Sequence, residues 1–229
     1  MERNSSHGEY SPDVRLSSVT EPRRKGRRER QAEQTREEIL QATRALFGTK
    51  GYGATTIKDI AVAADVSVQT VYDSIGSKSA LLLRLNDLID GEAGVAEFAR
   101  AAMASGDPGL LVSLSARITT SILDTCGDIV RVVVGAAADE PELARVLAEG
   151  HVRHLAGATR VVQHLQQIGV LSVVSDDATR DIAESMAAMT DFELGLLLRD
   201  RYGWSAERVE AWMINGVNAA LAPHFLPAI

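Results

Sequence analysis

Between Gly51 and Gly76 the chain has room for two short helices and little else. Thr56 is a good N-cap for a helix from Ile57 to Ala64, in which Ile57, Ile60, Ala61 and Ala64 share one face. Asp65-Val66 makes a tight turn. Ser67 caps a second helix, Val68 to about Ile75, with Val68, Val71 and Ile75 at helical spacing. Gly76 breaks it, and Ser77 caps a longer helix carrying Ala80, Leu81, Leu82, Leu85, Leu88 and Ile89. On the other side, Ile39, Leu40, Ala42, Leu46 and Phe47 predict a helix from about Arg30 to Thr49, stopped by Gly51 and Gly53. Two short helices joined by a tight turn and braced on both sides make a helix-turn-helix or an ordinary helical hairpin. The residue chemistry favours the first. Ala61 and Ala64 are small where helices must cross, Val66 can plug the core between them, and Ser67, Gln69, Thr70 and Tyr72 mostly avoid the apolar face. These are hydrogen-bonding groups near a helix N-terminus, suited to phosphates and base edges.

The charge distribution points the same way. The net charge is −7, but residues 1–84 carry +3 and residues 85–229 carry −10, so only the first part is expected to meet a polyanion. Residues 1–22 are polar and aperiodic and read as a disordered tail. The run Arg23-Arg24-Lys25-Gly26-Arg27-Arg28-Glu29-Arg30 follows. It is either a solvated linker or a flexible cationic arm for phosphates or a minor groove.

The block closely resembles the DNA-binding domain of TetR-family regulators. The residues that carry the likeness are Gly51-Tyr52-Gly53-Ala54-Thr55-Thr56-Ile57-Lys58-Asp59-Ile60-Ala61, then Val66-Ser67-Val68-Gln69-Thr70-Val71-Tyr72, then Gly76-Ser77-Lys78. The match runs from about Ala32 to Gly91, roughly a quarter of the chain. Three departures matter. The family's turn glycine is Asp65, which tolerates the left-handed conformation better than most residues. The aromatic before Gly-Ser-Lys is Ile75, an apolar exchange, and Asp73 puts a negative charge where phosphate would lie.

The resemblance implies an all-α protein of three parts. These are a disordered tail with a basic arm (1–31), a three-helix helix-turn-helix DNA-binding domain (32–92) and a helical effector-binding and dimerisation domain (93–229). It also implies roles. Thr56 and the start of its helix, with Lys58, would hold phosphate. Ser67, Val68, Gln69 and Thr70 would face the major groove, Gln69 being the best candidate for reading adenine. Tyr72 would reach phosphate or a thymine methyl, and Lys78 would anchor phosphate. Arg27 and Arg28 of the arm would add salt-dependent affinity. The partners implied are operator DNA, a second copy of the chain and a small-molecule effector.

Beyond residue 92 the sequence carries no comparable motif, but it reads as helices throughout. They are expected from Pro108 to about Asp124, Ile129 to Ala138, Pro141 to about Ile168, Asp176 to about Tyr202, and after Ser205 to before Pro223. Apolar stripes on the last two, including Met186, Met189, Leu197, Val209, Met213, Val217 and Ala220 with Gly195 and Gly216, either bury within the chain or meet a partner. In TetR-like proteins the last two helices pair with their mates, which makes Met186, Leu197, Val209, Met213, Gly216, Val217 and Ala220 the expected dimer interface.

His151 and His154, three apart on a helix, are satisfied semi-buried histidines, a fragment of a metal site with no third ligand, or part of an effector pocket. The resemblance places a pocket among the central helices, with Cys126, Arg131, His151, His154 and Met189 as its expected distinctive groups. One cysteine excludes an internal disulfide. No catalytic set, phosphate loop or metal motif is visible, so no enzyme and no cofactor are expected. No apolar run spans a bilayer and no signal peptide precedes the arm, so a cytoplasmic, membrane-free protein is expected. The rival function is a helical small-molecule-binding module that has lost specific DNA recognition.

Overall fold

The computed structural model describes residues 26–172 and 175–226, apart from the side chain of Asp90. The tail and Arg23 to Lys25 of the basic run lie outside these residues. The described chain is all-α, with one isolated antiparallel bridge, Leu171 to Phe225, in place of any strand.

α1 (Arg27–Lys50) starts three residues before its apolar stripe would require. Gly26 and Glu29 explain the early start, because the Glu29 carboxylate reaches back and accepts the Gly26 N–H at 2.8 Å. The part of the basic run from Arg27 is therefore helical, not a flexible arm. α1 buries Ile39, Thr43 and Phe47 at four-residue intervals, while its residues before Ile39 are almost all exposed. α2 (Ile57–Ala63), α3 (Val68–Ser74) and α4 (Lys78–Asn86) are capped by Thr56, Ser67 and Ser77, each accepting from the backbone N–H three residues on. After the short α5 (Ile89–Glu92), α6 (Val95–Ser105) leads into α7 (Pro108–Ala136), where Asp107 caps and Pro108 opens the helix.

α7 is the axis of the molecule and packs against α1, α4, α5, α6, α8, α10 and α11. The sequence predicts two helices here, broken between Asp124 and Asp128. The chain instead runs through, kinked at Cys126 (φ −129°, ψ 16°). An outside donor acts at this point: Arg44 Nη2 donates to the Thr125 carbonyl at 2.8 Å, competing for an acceptor of the helical ladder. α8 (Pro141–Gln167), α9 (Asp176–Met189), α10 (Phe192–Tyr202) and α11 (Ala206–Leu221) complete the body. α9 and α10 are two helices where one is expected, because Asp191 caps a new start by accepting from the Glu193 and Leu194 N–H groups. Among the described residues no helix is long and apolar enough to cross a membrane.

The buried core does not stop at the end of the N-terminal helices. Ile39, Phe47, Ile60, Val71, Leu81 and Leu85 form one cluster with Leu123, Ile129, Val133 and Leu143 of α7 and α8. A second cluster joins α6 to α9 and α11 across α7 and α8.

Candidate functional site

The turn between α2 and α3 is a Schellman closure. Asp65 takes the left-handed conformation (φ 52°), its N–H bonds the Val62 carbonyl at 3.3 Å, and the Val66 N–H bonds the Ala61 carbonyl at 3.0 Å. Asp65 thus fills the place of a turn glycine. Val66 enters the core beside Ala61, so the two helices are fixed by a few local bonds and one plug.

α3 buries only Val71. Val68 (39% exposed), Gln69 and Tyr72 (50% exposed) form an open face with Asp73. The Gln69 amide donates one hydrogen to Asp73 Oδ1 at 2.7 Å. Its second hydrogen and its oxygen have no partner among the described residues, so a donor–acceptor pair of the kind that can meet a base edge is left open and held in one orientation. Ser67 and Thr70 play a different part. Ser67 Oγ accepts the Thr70 N–H at 3.0 Å, and the two hydroxyls lie 2.8 Å apart, so both are engaged in the cap.

The side chains of two residues expected at phosphate, Thr56 and Lys78, also have partners within the chain. The Thr56 hydroxyl accepts from the Asp59 N–H and donates to Asp59 Oδ2 at 2.8 Å, which leaves it committed to its capping box. Asp59 also takes the Lys50 ammonium at 2.7 Å, which is the main reason its carboxyl sits well below the usual carboxylate range. Lys78 donates to the Tyr52 and Thr55 carbonyls at 3.0 and 3.3 Å and lies 4.2 Å from the Tyr52 ring centroid. It is a half-buried strut between α4 and the loop before α2. Lys58, Arg27 and Arg28 are exposed. The two arginines stand in the first turn of α1, where a helix dipole disfavours cations and an approaching anion would relieve the strain.

The second site is a cavity of about 520 Å³ enclosed by α4 to α8 and the start of α10. Its wall is mostly apolar, with Ile89, Ile118, Val130, Val133, Val146 and Phe192 prominent, and its polar lining groups are Asn86, Ser115, Thr119, Arg153, His154 and Arg160. Of the five pocket residues expected from the sequence only His154 lines it. Its Nε2 lies 3.0 Å from Thr190 Oγ1 and 3.2 Å from the Ala187 carbonyl, and burial above all lowers its pKa. His151 turns away and stacks on Phe192 at 5.2 Å, near Asp191 and Glu193. Cys126 is fully buried behind the wall and donates to Glu92 at 3.3 Å; burial pushes its thiol up. Arg131 forms a two-pronged pair with Asp200 at 2.6 and 2.7 Å, and Met189 packs near Gly216. Among the described residues no three His, Cys, Asp or Glu side chains gather as a metal site. The sequence reading missed Arg153 and Arg160, whose signal was two arginines flanking Gly157 on an otherwise apolar stripe.

Residues 39–85 match the family model of bacterial regulatory proteins of the tetR family. By that match residues 39–85 are similar to the DNA-binding segment of TetR-family proteins. Solved structures extend the likeness over the described body. A protein of Mesorhizobium loti MAFF303099 is 24% identical with a TM-score of 0.65, covering 85% of this chain and 98% of its own. A TetR transcription regulator of Haloarcula marismortui ATCC 43049 is 18% identical with a TM-score of 0.64, covering 85% and 100%. A SmeT–triclosan complex is 17% identical with a TM-score of 0.62, covering 85% and 93%. At these identities the likeness is one of fold. No curated protein matches the sequence.

The N-terminal helices are tied to the cavity body by polar contacts as well as by their core. Arg44 of α1 forks onto Asp128 at 2.6 and 2.8 Å and reaches Glu92 at 3.0 Å. The Arg44 bond is the chief reason the Asp128 carboxyl is held low. Tyr52, in the loop between α1 and α2, donates to Glu140 at 3.0 Å. Its hydroxyl is pushed up to about 12, by burial first and Glu140 second.

The expected partner face of a TetR-like body needs redrawing. Met186, Val209, Met213 and Val217 are fully buried within the chain, on the inward sides of α9 and α11. Gly216 faces Met189, and a Cβ on Gly195 would meet Leu123 at 2.5 Å, so these glycines let α11 approach α9 and α10 approach α7. Ala220 is half-buried. Leu197 is 45% exposed and keeps its place on an open face, joined there by Trp212 at 39%. Trp204 meets Trp212 edge-on at 6.3 Å beside them.

Proposed function

We propose that the protein is a ligand-responsive DNA-binding transcriptional regulator that acts as a repressor. The observation that carries this reading is the open face of α3, where Val68, an oriented Gln69 amide and Tyr72 stand free of the core on a capped helix of a TetR-family domain. Arg27, Arg28 and Lys58 supply the sequence-tolerant, salt-sensitive part of the affinity. The chain divides in function into the tail and arm (1–31), the reading domain (32–92) and the sensing and pairing body (93–229).

Two copies pair through the outer face of α10 and α11 around Leu197, Trp204 and Trp212. Their α3 helices then enter successive major grooves roughly 34–36 Å apart on a near-palindromic operator. A small molecule in the cavity favours a pairing with a different separation. DNA affinity falls by the molecule's preference between the two states, typically about 1–3 kcal/mol. Gel shift on the DNA upstream of the protein's own gene tests the reading. A specific complex that survives excess unrelated DNA supports it. Retardation that unrelated DNA abolishes equally would instead leave a binding module without operator recognition.

A further inference from the structure

The mouth of the cavity has a chemical character that its interior lacks. Only three lining residues are exposed, Arg153, Ala156 and Arg160, and all lie on one face of α8. The two arginines are seven residues apart, about 10 Å along the helix axis. Ala156 and Gly157 fill almost none of the space between them. Arg160 leans back into that gap: its Nη2 lies 3.9 Å from where a Cβ on Gly157 would stand. Long helical side chains point towards the N-terminus, so Arg160 leans towards Arg153.

Neither guanidinium has a hydrogen-bonded or ionic partner among the described residues, whereas Arg44, Arg131, Arg145 and Arg199 are each paired with a carboxylate. No carboxylate stands among the described lining residues. His154, deeper in the wall, is engaged at Nε2 with Thr190 and Ala187 and adds no positive charge at neutral pH. A cationic ligand would therefore meet two uncompensated charges at the entrance. A carboxylate would receive the forked, charge-assisted bonds that guanidinium groups form best. Beyond the mouth the wall is mostly apolar, with Ile118, Val130, Val133 and Phe192, and its polar groups Asn86, Ser115 and Thr119 are uncharged, in a volume suited to a small organic molecule.

We propose that the cavity takes an organic anion, with an apolar body inside and a carboxylate held at the mouth by Arg153 and Arg160. This rests on the reading of the cavity as the effector site. The test is calorimetric titration of the full chain with decanoate and 2-naphthoate, each beside its methyl ester, on wild type and R153Q/R160Q. At least one acid should bind about tenfold or more tightly than its ester, a difference of about 1.4 kcal/mol per tenfold. The double variant should bring acid and ester within about threefold while ester affinity stays unchanged, and ~0.5 M salt should act in the same direction. Both arginines are exposed and unpaired, so the variant should melt with the wild type. Equal binding of acids and esters to the wild type, or a preference that survives the double variant, would overturn the anion assignment and leave the cavity standing. Failure of all four compounds to bind would remove the cavity reading itself, and the proposal with it.

Discussion

α3 and α7 belong to the same fold and share one core, yet they are built in opposite ways. α3 is seven residues long and buries a single side chain, Val71; its shape comes from the Ser67 cap, the Asp65 turn and the Gly76 break. α7 is twenty-nine residues long and buries side chains on nearly every turn, from Leu111 to Ala136, and contacts seven other helices. Local bonds hold the first, and packing holds the second. A helix held by its ends can vary its outer residues without unfolding anything, which suits a surface that reads sequence. A helix held by its neighbours cannot move without moving them, which suits an element lying between a cavity and the N-terminal helices.

That contrast can be broken most severely at Ile129, 2% exposed in the core shared by α7 and the N-terminal helices. Ile129→Ala should cost about 2–5 kcal/mol in chemical denaturation. Val68→Ala on α3 should stay within about 0.5 kcal/mol of wild type while still weakening DNA binding. Gly195→Val comes next: its Cβ would stand 2.5 Å from Leu123 of α7, and overpacking of this kind costs about 1–3 kcal/mol by the same assay. Gln69→Ala should leave the melting temperature unchanged and remove about 1–3 kcal/mol of base discrimination, seen as lost preference between matched and singly altered operators. Arg44→Met should cost about 1–2 kcal/mol, since its pairs are partly solvated, and should reduce the response of DNA binding to a cavity ligand.

The smallest effect concerns His154, whose pKa is lowered chiefly by burial and only partly restored by the Ala187 carbonyl and Asp191. Between the folded-state pKa and the ordinary value of about 6.5, the unfolded chain binds more protons than the folded one. Stability should therefore fall as pH drops below about 6.5, and His154→Gln should flatten that part of a melting-temperature profile.

Residues 51–78 were legible from the sequence because caps, turns and breaks are chemistry between near neighbours. Thr56, Ser67 and Ser77 cap where their hydroxyls predict, and Asp65 adopts the left-handed backbone that its side chain allows. The same locality hid what those hydroxyls do: Thr56, Ser67 and Thr70 satisfy their own helices. Farther along, a stripe such as Val209, Met213 and Val217 announces an apolar face but not what covers it. Only the packing of α10 and α11 onto α7, with α9 against α8 and α11, decides that, and it turns this stripe inward while leaving Leu197 and Trp212 outside. Arg153 and Arg160 escaped notice for a related reason, since arginine on a helix is usually solvated and its place at a cavity mouth is a tertiary fact.

Operator reading by α3 is the step on which the proposed function rests. Fluorescence anisotropy of the full chain on labelled DNA from beside its own gene, against a scrambled duplex and across a salt series, tests it most directly. Tight binding to the native duplex, a steep salt slope, and a preference over scrambled DNA that Gln69→Ala reduces are the expected results. Weak binding of equal strength on both duplexes, unaffected by Gln69→Ala, would contradict it.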